Sequence, residues 1–208
     1  MAQSKLFLVS SFADVSDELI PFMTELQGKT VTFIPTASKV EKVKFYVDAG
    51  KKALEKKGLI VDELDISVEQ RDIVEQKLRE NDFIYVSGGN SFYLMQELKK
   101  SGADIIIKRE IANGKLYIGE SAGAIILSKT IQYIQNMDSP EKAPELASYD
   151  GLGVVNFYTL PHDNEIPFKE ISKEINDNYR NELTICPIRN NEAILVKGNS
   201  KKVVNVKK

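Results

Sequence analysis

Three short stretches carry residue types suited to acyl transfer: Gly119-Glu120-Ser121-Ala122-Gly123, Gly88-Gly89-Asn90, and the sole histidine, His162. The first matches G-x-S-x-G. That pattern places a serine on a sharp strand-to-helix turn, where small residues two positions before and after let the backbone close and the hydroxyl project. The N–H of Ala122, at the start of the following helix, is then placed to stabilise an oxyanion. Gly88 and Gly89 allow close backbone approach to a ligand, and their free N–H groups can complete such a hole. A serine hydroxyl is a weak nucleophile and needs a base within hydrogen-bond reach. His162, in Thr159-Leu160-Pro161-His162-Asp163, is the one imidazole that could serve. The plainer alternatives are a helix-capping serine among glycines, an ordinary turn at Gly88-Gly89-Asn90, and a histidine without duty.

A third group must hold the imidazole tautomer. Asp138, Asp163, Asn190, Asn191 and Glu192 are the candidates, and spacing does not rank them. Cys186, in Thr184-Ile185-Cys186, reads as core packing. Glu120 either shapes the site or joins a buried ion pair, and Tyr46, Tyr85, Tyr93 and Tyr117 read as core or rim.

These residues need elements to position them. Apolar strand-like runs at 5–10, 30–35, 59–66, 82–87 and 116–119 alternate with helical patterns at 14–26, 41–57, 69–80, 91–100 and 102–113. The alternation predicts an α/β fold with a mostly parallel sheet flanked by helices on both faces, as one domain over residues 1–208. Beyond the serine turn, 136–150 reads as an exposed acidic loop. Residues 154–160 read as a strand, 165–182 as a helix, and 183–188, 192–196 and 202–206 as closing strands, with Gly198-Asn199 as the last turn. Gly88-Gly89, Ser121 and His162 all fall at carboxyl ends of predicted strands, where sheets of this kind place their sites.

Composition excludes several classes. The chain of 208 residues has 28 Lys and Arg against 30 Asp and Glu, a net charge of −2, with no basic footprint for nucleic acid. One cysteine and one histidine make neither a disulfide nor a Cys/His zinc cluster. The apolar run Leu6–Val9 is too short for a signal peptide or a membrane helix, which predicts a cytoplasmic protein away from membranes.

Taken in order, Gly88-Gly89-Asn90, Tyr117-Ile118-Gly119-Glu120-Ser121-Ala122-Gly123-Ala124, Gly151-Leu152-Gly153 and Leu160-Pro161-His162 resemble the peptidase E family of serine peptidases over nearly the whole chain. Cyanophycinases share much of the pattern on the same class I glutamine-amidotransferase-like fold. The resemblance implies Ser121 as nucleophile, His162 as base, and the amides of Gly89 and Ala122 as oxyanion donors. It further implies release of an amino-terminal aspartate from short peptides, without metal or cofactor. Where that family has a glutamate as third member, this chain has Asn190, with Glu192 two residues on. An aspartate important in the family falls near Asn136, with Asp138 beyond. The family's substrate-reading arginine follows the histidine, and here Lys169, Lys173 and Arg180 are available. Asn90 and Lys169 are the candidate substrate contacts. A small peptide is the expected partner. The alternatives are an inactive ligand- or partner-binding homologue and a hydrolase of another aspartyl amide.

Overall fold

The computed structural model describes residues 3–206. Its main sheet has seven strands in the order β3-β2-β4-β5-β1-β8-β9. These are β1 (Lys5–Val9), β2 (Thr30–Ile34), β3 (Ile60–Glu63), β4 (Phe83–Val86), β5 (Leu116–Glu120), β8 (Glu192–Lys197) and β9 (Ser200–Asn205). The first five are parallel, and β8 and β9 are antiparallel to their neighbours. The architecture is the α/β sheet that the alternation predicts. The inner strands are apolar along their length because helices cover both faces. Edge β9 carries Lys201 and Lys202, exposed charges that discourage further strand pairing.

Side-chain alternation splits the core. Phe7 and Val9 face one layer with Phe12, Leu19, Phe33, Leu54 and Tyr85. That layer is built by α1 (Phe12–Val15), α2 (Leu19–Phe22) and α3 (Phe45–Lys56). Leu6 and Leu8 face the other, with Phe92, Leu98, Ile107 and Ile126. Here pack α4 (Arg71–Glu80), α5 (Ser91–Ser101), α6 (Ala103–Ala112) and α7 (Ala122–Ile125). No helix among the described residues is long and apolar enough to cross a membrane.

The structure revises several predicted elements. The helix expected at 14–26 is two single turns around a 3-10 segment, Ser16–Glu18, and stops at Phe22. Pro21 lacks the N–H that a longer helix would need. Helix α3 starts at Phe45, after a 3-10 turn, Thr36–Val40. The helix expected at 165–182 is α8 (Lys169–Tyr179), beginning after Pro167, as helices do past a proline. Most consequential are β6 (Tyr158–Leu160) and β7 (Ile185–Pro187), shorter than predicted. They leave the main sheet and pair in parallel as a separate two-stranded sheet. The loop at 136–150 is fastened onto α5: Glu145 N–H donates to Gln96 Oε1 at 2.9 Å, and Ala143 is buried.

Candidate active site

The site forms where the ends of β1, β4, β5, β6 and β7 converge. Strand β5 runs out at Glu120, and Ser121 takes φ 49° and ψ −106°, a left-handed conformation rare for a side-chain-bearing residue. Its N–H is held by the Val9 carbonyl at 2.8 Å, and its carbonyl accepts from Ala124 and Ile125, which starts α7. The flanking glycines have a steric cause. A Cβ on Gly119 would lie 2.6 Å from the Gly123 carbonyl oxygen, and one on Gly123 would strike the Val86 carbonyl. Tyr117, read as core or rim, also serves the turn: its hydroxyl donates to the Gly123 carbonyl at 2.7 Å.

Gly88 and Gly89 leave β4 beside this elbow. A Cβ on Gly88 would be 3.2 Å from the Ser121 Cβ and 3.5 Å from the Tyr46 ring. Gly89 has φ +135° and is pressed against Ala37, so no larger residue fits there. Asn90 N–H bonds to the Ala37 carbonyl. The Asn90 side chain caps α5 through Tyr93 N–H at 2.9 Å and donates to the Ser139 carbonyl at 3.0 Å. Both ends of that amide are occupied structurally, and the residue is 1% exposed, which argues against its assignment as a substrate contact.

His162 and Asn190 arrive from the small sheet. Because β6 and β7 are parallel, with Leu160 opposite Pro187, the segments beyond them emerge side by side. His162 Nε2 lies 3.1 Å from Ser121 Oγ, and Nδ1 lies 2.8 Å from Asn190 Oδ1. An amide oxygen only accepts, so Nδ1 carries the proton and Nε2 is free to take one from the serine. The Phe168 ring stacks on the imidazole at 4.8 Å. Burial is the main influence on His162 and lowers its pKa, against the Asn190 hydrogen bond and the nearby Glu165 charge, which raise it. The neutral, proton-accepting ring is therefore favoured at neutral pH.

The other candidates for the third position lie elsewhere. Asp138 Oδ2 accepts from Ser91 N–H at 2.8 Å, satisfying the start of α5. Burial pushes its carboxyl up to about 6. Glu192 closes a turn by accepting from Arg189 N–H at 2.8 Å, and Asn191 donates to Asn205 at 3.1 Å. Asp163 hydrogen-bonds through its backbone to the Ile188 carbonyl. Spacing could not separate these because the β6–β7 register is set by packing.

Two residues that spacing did not single out hold the assembly. The Ser10 hydroxyl donates to the Ile188 carbonyl at 2.9 Å and accepts from His162 N–H at 3.0 Å, tying the small sheet to the end of β1. Glu165 Oε1 accepts from Asn190 N–H at 3.4 Å. Glu120 makes no ion pair among the described residues. Its buried carboxylate takes Phe12 N–H at 2.8 Å and the Tyr85 hydroxyl at 2.7 Å, and burial raises its pKa. Lys169 is exposed at the start of α8, next to Phe168. Lys173 and Arg180 pair with Asp177 at 2.7 and 3.6 Å.

The comparisons agree with this architecture. An uncharacterized peptidase of Listeria innocua is 62% identical over 192 residues, 92% of each chain. One from Pasteurella multocida is 48% identical over 95% of each. Peptidase E of Haemophilus influenzae is 31% identical over 116 residues, 56% of this chain and 51% of that protein. A crystal structure of a provisionally assigned peptidase E protein from Listeria monocytogenes superposes with a TM-score of 0.95 at 57% identity, covering 99% of this chain and all of that one. The sequence profile of peptidase family S51 matches residues 1–204, and with the strand-end serine and its imidazole partner in place, the chain belongs to that family.

Proposed function

We propose that this member of the family is a serine peptidase that cleaves short peptides, releasing an amino-terminal aspartate. The observation that carries the reading is the continuous line from Ser121 Oγ through His162 to Asn190 Oδ1, at 3.1 and 2.8 Å, on a left-handed serine elbow. Ser121 attacks the scissile carbonyl while His162 Nε2 accepts its proton. The amides of Gly89 and Ala122 hold the oxyanion, and His162 returns the proton to the leaving amine. Among the cations first considered for the substrate carboxylate, Lys169 is free of ion pairs among the described residues, whereas Lys173 and Arg180 are engaged. Exposed Arg189, beside Asn190, is a second cation that sequence spacing did not bring forward.

The aspartate preference rests on the family resemblance. It is tested with a panel of amino-acyl nitroanilides and dipeptides bearing Asp, Glu, Asn or Leu at the amino terminus. Wild type is expected to turn over the Asp substrates fastest and Ser121→Ala to be silent. Equal rates from both proteins would overturn the reading. The uncharged Asn190 favours one competing reading, an inactive binding homologue. A fluorophosphonate probe that fails to label Ser121 would support that one.

A further inference from the structure

Asn190 gives His162 an oxygen to bond with but no charge. This matters at one moment of the reaction. As the bond from Ser121 Oγ to the carbonyl carbon forms, the Oγ–H bond breaks and its proton moves to Nε2. The ring becomes an imidazolium while Nδ1–H stays on Asn190. When the carbon–nitrogen bond of the substrate breaks, the Nε2 proton leaves with the amine. Between these events a full positive charge sits in a largely buried ring.

The groups around that ring come from every element packed on it. The elbow brings Ser121 and, behind it, Glu120, whose carboxylate is committed to Phe12 N–H and Tyr85. The end of β1 brings the neutral Ser10. Beyond β7 come Asn190 and the exposed Arg189, and at α8 come Phe168 and the exposed Lys169. The loop after His162 brings Asp163 and Glu165. Glu165 is tied to both partners of the imidazole bond: its N–H donates to the His162 carbonyl at 3.1 Å, and its Oε1 accepts from Asn190 N–H at 3.4 Å.

We infer that Glu165 is a positioning residue of this site: its carboxylate holds the Asn190 backbone against His162 and lends the imidazolium, across Asn190, the negative charge that an asparagine in third place lacks. The same loop turn therefore fixes both the geometry and the electrostatics of the base. Its charge also opposes the effect of burial on the ring. The inference rests on the serine peptidase reading for its kinetic consequence, but not for its electrostatic one.

Because His162 is the only histidine, its ring proton signals titrate alone in an NMR spectrum. In Glu165→Gln the imidazole pKa should fall by about half a unit to one unit, as expected for loss of one nearby, partly screened charge. Glu165→Asp should restore most of it. The acid limb of kcat/KM should move down with the NMR value, and the plateau should drop about three- to tenfold as the base weakens. A structural role alone would lower the plateau and leave the limb in place. A folded Glu165→Gln protein whose imidazole pKa stays within about 0.2 units of wild type would overturn the inference. Should that variant fail to fold, Glu165→Ala takes its place with the same expected shift. The titration is repeated in Ser121→Ala, which needs no turnover, so failure of the peptidase reading would silence the kinetic arm and leave the pKa result to decide Glu165.

Discussion

The backbone N–H of His162 donates to the hydroxyl of Ser10 at 3.0 Å, across 152 positions of sequence. That same hydroxyl donates to the Ile188 carbonyl, just before the segment that carries Asn190. One buried side chain thus fixes the imidazole and its hydrogen-bond acceptor against the strand end that also anchors Ser121 N–H.

Ser10→Ala should therefore affect stability and rate together. Removing the hydroxyl leaves the His162 N–H without its partner, while the Ile188 carbonyl keeps Asp163 N–H, at a cost of about 1–3 kcal/mol. A fall of about tenfold in kcat is expected from looser placement of His162, with KM little changed. Urea unfolding and steady-state kinetics on the same preparation check both.

Ser121 is strained in this structure, at φ 49°, and is the proposed nucleophile. Ser121→Ala and Ser121→Gly should each lose turnover by about a thousandfold or more. They should differ in stability: alanine keeps the left-handed strain at φ 49°, whereas glycine relieves it, so the glycine variant should be more stable than the alanine variant by about 1 kcal/mol. Comparing their urea midpoints decides this, and equal midpoints would show that the elbow stores no strain.

Glycines at and away from the elbow should tolerate substitution according to the space each has. Gly123→Ala puts a methyl into the Val86 carbonyl and should lose at least about 2 kcal/mol along with activity. Gly153→Ala meets nothing within 4 Å but is strained at φ +63°, so about 1 kcal/mol should be lost with activity intact. Thermal melts paired with activity separate the two cases.

Asp138 predicts a pH dependence. Its carboxyl rises from the ordinary 3.8 to about 6 in the fold because burial outweighs the bonds from Ser91. The native state therefore holds the proton more tightly than the unfolded chain does. This group's contribution to stability is complete below about pH 4 and is lost as pH rises to about 6. Asp138→Asn should remove that loss, so its stability relative to wild type should improve between pH 4 and 6 and then level off. Urea unfolding across that range is the measurement, and a constant offset between the two proteins would show that Asp138 titrates normally.

Much of the fold is visible in local sequence. The central strands are continuous apolar runs because both faces are covered, and periodicity alone marks them and most of the helices between them. The elbow is local too: Gly119, Ser121 and Gly123 lie within five residues, and the clashes that demand glycine arise from that turn and the strand beside it. At two helices where local rules misled, a local competitor was responsible. Pro21, with no N–H to bond back to Asp17, interrupts the first helical stretch, and Pro167 precedes the late start of α8.

The amino-acid sequence by itself determined the serine elbow, the glycine turn beside it and the identity of the one available imidazole, because each depends on residue type within a few positions. Only the tertiary structure decided which side chain the imidazole leans on. That choice among Asp138, Asp163, Asn190, Asn191 and Glu192 follows from the parallel β6–β7 register and the Ser10 latch. These contacts join segments as much as 178 residues apart, and packing, rather than spacing along the chain, sets their alignment. The same packing placed Glu165 behind Asn190, whose amide oxygen gives the imidazole a partner without charge.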